Sequence, residues 1–248
     1  MADELERIVT FAAAGDMSGE RTVPSRFGAA VYSPRIPKRL DANYLRVDRP
    51  VPDAGSLIEE MRRLDRRMAW VPDGNAGERL APAFERLGWR VDRHVIMAQR
   101  RRPERAADTS LVREVEERKL RGARRRLLEG GPWATPEVVE QLFAGKELIA
   151  GRVTMRCFAV VVDSEVVSYT DLYLRDRAAQ IEDVGTLPEH RGRGYATAVI
   201  LKAIEEARSA GASLVFLFAE AEGRAKELYR RLGFDELGHY VKFFAPRT

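Results

Sequence analysis

Two stretches of this chain resemble each other closely enough to limit its architecture. FERLGWRVDRHVIM, residues 84–97, and YRRLGFDELGHYVK, residues 229–242, share an aromatic, then Arg-Leu-Gly-aromatic, then histidine. Arg86 and Arg231 stand 145 positions apart, and so do His94 and His239. Each copy reads as the end of a helix, a glycine stop and a following strand. Solenoid repeats recur roughly every 20–50 residues, so this much longer spacing implies two related halves. The polar stretch RRRPERAADT, residues 100–109, is the natural linker. The expected division is a smaller unit over 1–104 and a second over 108–248, within the range of ordinary domain sizes.

The second half is the easier to read. LVREV (111–115) reads as a strand, followed by a helix in EERKLRGARRRLLEGG. Thr135 and Pro136 open another helix as cap and first-turn proline. MRCFAVVVD, EVVSYTDLYL and AAQIEDVGTL are three strand-like runs joined by short polar turns, which predicts an antiparallel meander. A helix over about 194–209, the strand SLVFLFA, a helix through Leu232 and a strand near 238–244 complete the half. The first half offers strands in GAAVYSP, NYLRVDR, RRMAWVP and VDRHVIMA, with helices in SLIEEMRRLD and ERLAPAFERLG. The order places the chain in the mixed α/β (α+β) class, a central mixed sheet flanked by helices.

Composition narrows the function classes. The net charge of +4 comes from 42 basic and 38 acidic residues, so the basic excess is small and mixed. The arginine runs 100–102 and 124–126 lack interleaved aromatics and read as solvated surface, not as a nucleic-acid platform. Glu114 with Arg118 and Glu117 with Arg121 have the spacing of helical ion pairs. One cysteine, Cys157, and three histidines leave little for a His/Cys metal site, and no metal is expected. Cys157 reads as a packed small residue in an alternating strand. No apolar run has membrane-spanning length, the start MADELERIV is unlike a secretory signal, and a cytoplasmic setting is expected.

One loop carries a chemical signal. In EHRGRGYATAVILKAIEEA (189–207) two glycines and two arginines sit between an apolar strand and an amphipathic helix. Free N–H groups and the dipole at the helix start favour an anion there. Gly192 and Gly194 permit close backbone approach, and Arg191 and Arg193 add charge. Neither GxxxxGK[ST] nor GxGxxG is present, since the third position of the latter is Thr197.

Arg191-Gly192-Arg193-Gly194-Tyr195-Ala196 resembles the [QR]-x-x-G-x-[GA] acyl-CoA loop of the GNAT superfamily of N-acetyltransferases. IEDVGTLPEH upstream is similar to that family's fourth strand and Pro-acidic turn. Ala225-x-x-Leu228-Tyr229-x-x-Leu232-Gly233-Phe234 downstream is similar to its second cofactor motif. The resemblance covers roughly residues 108–248, and the repeat then implies a tandem arrangement whose N-terminal copy lacks the cofactor loop.

The resemblance implies acetyl-CoA as co-substrate. The backbone of Gly185, Thr186 and Leu187 would pair with its pantetheine arm. The N–H groups from Arg191 through Gly192, Arg193, Gly194, Tyr195 and Ala196 to Thr197 would hold its pyrophosphate. Tyr229 matches the tyrosine that protonates the departing thiolate, where the repeat has Phe84. Glu182 is the first choice for the carboxylate that deprotonates the amine. Asp183 would face away in a regular strand, and a bulge would exchange the two roles. Both carboxylates also read as ordinary edge or substrate-binding charges. Glu222 stands where many members have asparagine. The expected activity is direct acetyl transfer to a primary amine of a small molecule, by a monomer or homodimer without nucleic-acid or membrane partners. The alternatives are a non-catalytic acyl-CoA sensor and an enzyme acting on protein N-termini or lysines.

Overall fold

A computed structural model of the chain describes residues 2–14, 19–104, 106–129, 131 and 134–246. Arg105 of the expected linker and Gly130 at the end of the expected helix lie outside the described residues.

In chain order the first half comprises α1 (Ala2–Ala14), β1 (Arg21–Ser25), β2 (Gly28–Tyr32), β3 (Leu45–Val47), α2 (Ala54–Arg63), β4 (Met68–Val71), α3 (Gly74–Arg86) and β5 (Arg90–Gln99). The second comprises β6 (Val112–Val115), α4 (Glu117–Leu128), α5 (Pro136–Ala150), β7 (Thr154–Val162), β8 (Glu165–Arg175), β9 (Ala178–Thr186), α6 (Tyr195–Ser209), β10 (Leu214–Glu220), α7 (Ala225–Arg231) and β11 (Phe234–Phe244). Local chemistry sets several helix starts. The Asp53 and Asp73 carboxylates accept the amides of Ser56 and Ala76 at the heads of α2 and α3. Thr135 caps α5 through the Val138 amide, ahead of Pro136.

The strands form one sheet in the order β1-β2-β3-β4-β11-β5-β10-β9-β8-β7-β6. Each half contributes an antiparallel meander and one parallel pair, β3 with β4 and β9 with β10. The last strands are exchanged: β11 lies between β4 and β5, and β5 lies against β10. His94 pairs with Tyr240 and Val95 with His239, and the 145-residue offset carries one pair onto the other. A local two-fold relation therefore runs between β5 and β11, where the sequence repeat lies. Neither half closes its sheet with its own last strand.

Period-two alternation sends each strand's side chains to two different cores. On one face Val95, Met97, Phe158 and Val215 meet α6, and Ala69, Val71, Val241 and Phe243 meet α2 and α3. On the other Met68, Trp70, Ile96, Phe216 and Tyr240 meet Ile8 and Phe11 of α1. Cys157, Ala159 and Tyr169 on that same side meet Leu120 and Ala123 of α4. Cys157 is buried, as its strand position predicts. α1 and β1 are additions to the sequence reading. β1 contains Pro24 and sits at the sheet edge, where a missing N–H costs no ladder bond. Among the described residues no helix is long and apolar enough to cross a membrane.

Candidate active site

β9 and β10 pair at only three positions, the last being Phe216 with Gln180. Beyond it β9 follows β8, while Leu217–Glu220 follow β5. A wedge opens between them, and Glu182 lies two residues past the split. The register between β8 and β9 then shifts, with Asp171 opposite Glu182 but Tyr169 opposite Gly185. Asp183 takes φ 55° at this bulge, a conformation that aspartate tolerates better than most residues. The regular-strand expectation for Asp183 therefore fails: Glu182 and Asp183 both line one cavity of about 490 Å³.

That cavity is bounded by the sheet centre on one side and by α1, α4 and α5 on the other. Both halves line it: Arg39, Tyr44 and Trp70 from the first, Arg124, Lys146 and Tyr173 from the second. The loop bearing Arg39 is tied to α5, where the Lys38 amide donates to Gln141 at 2.8 Å and the Lys38 ammonium pairs with Glu137.

Asp171 anchors the electrostatics. It is fully buried, 2.5 Å from an Arg124 nitrogen and 2.6 Å from Lys146 Nζ. Arg124 also meets Asp183 at 2.9 Å and Glu117 at 2.8 Å. Lys146 meets Asp183 at 3.1 Å and donates to the Tyr173 hydroxyl at 2.8 Å. The Cys157 thiol donates to Asp171 at 3.2 Å, and burial with this carboxylate pushes the thiol up, away from nucleophilic use. Arg124 is thus not the surface residue its run of three implied; it is 3% exposed. Of the two expected helical pairs, Glu117 with Arg121 forms at 2.9 Å. Glu114 lies in β6 instead and pairs with Arg156.

The two candidate carboxylates are driven apart. Burial would raise Asp183, but Lys146 and Arg124 outweigh it and hold the carboxyl below its ordinary value. Glu182 is raised by burial, with Asp183 adding to the rise against the pull of Lys146. Its described hydrogen-bond partner is the Gln180 amide, at 2.6 Å. Replacing Asp171 with alanine leaves two buried cations short of a partner and should cost about 3–5 kcal/mol, read by chemical denaturation. The depressed Asp183 carboxyl stabilises the fold above the ordinary aspartate range, and that contribution is lost as pH falls through its lowered folded value.

The expected cofactor residues fall on the far side of the wedge. Gly185 packs against the Tyr169 ring, where an added Cβ would stand 2.5 Å away. The Leu187 amide is spent on the Val167 carbonyl at 2.9 Å, and the Gly185 carbonyl accepts from Ser168 Oγ. Antiparallel alternation then turns the peptide groups of Thr186, the middle member, to the open edge.

Gly192 and Gly194 have φ 77° and 82°, and Gly194 opens α6 without a side-chain cap. The Ala198 amide makes the first bond back to Gly194, so the amides of Tyr195, Ala196 and Thr197 form the uncapped first turn. Arg191 and Arg193 touch only carbonyls, those of Thr186 and Glu189, and neither forms an ion pair among the described residues. The Glu189 carboxylate is drawn off the loop by Arg126. A bare helix start with two uncompensated guanidiniums suits a diphosphate.

Tyr229 is buried among Leu232, Phe234 and the α6 side chains and does not line the cavity. Burial and the nearby Glu182 push its hydroxyl up to about 12, so it remains a proton donor at neutral pH. Glu222 is exposed and also off the cavity. Sequence reasoning missed Trp70, His94, Arg124, Lys146, Asp171 and Lys242. The available signal was Asp171, an acidic residue within the apolar run EVVSYTDLYL. Among the described residues no cluster of three or more His, Cys, Asp or Glu could hold a metal.

Residues 120–234 match the sequence profile of the Acetyltransferase (GNAT) family. An uncharacterised N-acetyltransferase of Methanocaldococcus jannaschii is 46% identical over 59 residues, 23% of this chain and 26% of that protein. The chain thus matches about a quarter of that relative's length. A GCN5-related N-acetyltransferase from Kribbella flavida superposes with TM-score 0.66 over 98% of this chain and 95% of its own, at 18% identity. A functionally unknown conserved protein from Staphylococcus epidermidis gives 0.67 over 94% and 96%, at 14% identity. A tandem GNAT protein from the clavulanic acid biosynthesis pathway gives 0.53 over 83% and 76%, at 16% identity. At these identities the likeness to solved structures is one of fold.

Proposed function

We propose that this chain, whose residues 120–234 match the acetyltransferase (GNAT) family profile, transfers the acetyl group of acetyl-CoA directly to the primary amine of a small molecule. The observation that carries the reading is the wedge. It joins the uncapped start of α6, with Arg191 and Arg193, to the half-buried carboxyl of Glu182 at the cavity wall. In this reading residues 1–104 and 108–248 are a tandem pair, and only the second half has the anion loop.

Bound acetyl-CoA supplies an activated thioester. The amides from Gly192 to Thr197 would hold the pyrophosphate, the Arg191 amide being spent on the Pro188 carbonyl at 3.2 Å, and the Thr186 peptide would pair with the pantetheine arm. Glu182 takes the proton from the acceptor ammonium, because its raised carboxyl is the better match to an amine at neutral pH. Asp183, already neutralised by Lys146 and Arg124, orders the wall instead of acting as base. Tyr229 Oη returns a proton to the departing thiolate.

A cavity of about 490 Å³, bridged by the Lys38 contacts with α5, favours a small acceptor over a peptide laid in a groove. Turnover of acetyl-CoA against an amine panel tests the proposal, and stoichiometric CoA binding without turnover would favour a sensor. Tyr229→Phe should lower kcat by about tenfold or more while leaving the Kd for CoA within about twofold. Unchanged kcat would remove the tyrosine from the mechanism.

A further inference from the structure

The cavity has two chemically opposite ends. On β9, the Glu182 carboxyl is bonded to the Gln180 amide, and Gln180 Oε1 is buried without a donor. Gln180 Oε1 and the second oxygen of Glu182 are acceptors without a described donor. At the other end, on the exchanged strand β11, Lys242 stands directly opposite Trp70 of β4. Lys242 lines the cavity, and its ammonium forms no hydrogen bond or ion pair among the described residues. Its described contact is the Tyr240 ring, 5.5 Å away. Asp41 is committed to Arg39, and Asp92 pairs with Arg90. Trp70 is 7% exposed, and its indole N–H is buried without an acceptor. The donor end is therefore one unpaired cation with an unspent N–H on the neighbouring strand.

A group left charged and unpaired in a half-buried position is costly unless something else meets it. Burial already depresses the Lys242 ammonium despite the fields of Asp41, Glu182 and Asp92. Aromatic residues separate the ends: Tyr44 and Tyr240 flank Trp70, and His94 stacks on Tyr240 at 4.9 Å. His94 is lowered to about 4 by burial and by Lys242 and Arg90, so it adds no charge at neutral pH. From β9 across β10 and β5 to β11 is three strand spacings, roughly 14 Å. Lys242 lies four residues beyond Gly238, the β11 residue level with Glu182, so the backbones stand roughly 19 Å apart and the two long side chains narrow the gap.

We propose that the acceptor is an amino carboxylate. Its amine meets Glu182, an apolar chain of several carbons lies along the aromatic wall, and its carboxylate is held by Lys242 beside Trp70. The assignment of the amine end rests on the acetyl-transfer reading; the anion end does not. A diamine of similar length would bring its second ammonium against Lys242, so polyamines are rejected. The strand exchange thereby gains a function, because the residue that selects the acceptor reaches the first half's sheet from the second half's chain.

Two matched pairs of probes test this: ε-aminocaproate against n-pentylamine, and L-lysine against cadaverine. Each pair differs by one carboxylate. Calorimetric binding, measured with and without saturating CoA, should favour the carboxylated member by about tenfold or more. Lys242→Met should remove the preference and Lys242→Arg should retain it. Equal or tighter binding of n-pentylamine and cadaverine overturns the proposal, as does a preference that survives Lys242→Met. A protein that binds no CoA contradicts the acetyl-transfer reading alone, and the comparison without CoA still decides the carboxylate question.

Discussion

Glu182→Gln lowers kcat by about 10²–10⁴-fold, the usual worth of a positioned general base. The expected pH behaviour separates this from a structural loss. In the unaltered protein kcat/KM falls as pH drops below the raised Glu182 value, because the carboxyl must be ionised to accept a proton. The variant's residual rate loses that limb. Stability moves in the opposite direction. A carboxyl whose folded pKa lies above its unfolded value favours folding while protonated, and that contribution disappears as pH rises through the folded pKa. At neutral pH the buried charge is therefore a burden, and Glu182→Gln should melt no lower than the unaltered protein. A variant with full kcat would transfer the base to another group, and Asp183 would be the next to test.

Gly194→Glu removes CoA binding, with an expected loss of more than about 100-fold in affinity. The position has φ 82°, and a Cβ there meets nothing within 4 Å, so the new side chain points into open space. The left-handed backbone costs roughly 1–2 kcal/mol for any residue with a Cβ. Gly194→Ala bears that cost without the charge and should weaken CoA by about tenfold or less. The gap between the two variants isolates the repulsion between a carboxylate and the pyrophosphate at the helix start. Circular dichroism should show both folded, and retained CoA affinity in Gly194→Glu would remove the loop from the binding site.

Much of this arrangement is legible in the residues. The repeat around His94 and His239 marks the two strands that meet at the two-fold relation. The period-two runs of β7, β8 and β9 read directly as a meander. The exchange of β5 and β11 is not legible, because alternation determines which face a side chain occupies and not which strand lies beside it. α1 had a readable stripe in Leu5, Ile8, Phe11 and Ala12, all packed on one core, but its acidic start masked it. The site is split in the same way. The loop glycines and Glu182 are local signals, whereas Asp183 reaches the cavity only through a bulge. Arg124 shows why a charge run misleads: successive helical positions are about 100° apart, so one of three arginines faces the sheet and its neighbours face water. Lys242 is visible only once β11 is placed beside β4, since its partner across the ladder lies in the other half.

The proposed function requires the wedge and the cavity to form one catalytic path from thioester to amine. The most direct measurement follows radiolabelled acetyl-CoA with the purified protein and ε-aminocaproate, recording label on the acceptor nitrogen and free thiol together. Label transferred one-for-one with thiol release, and lost in both Glu182→Gln and Gly194→Glu, is the predicted result. CoA bound at one equivalent, with no thiol released above the buffer rate for any amine, would contradict it.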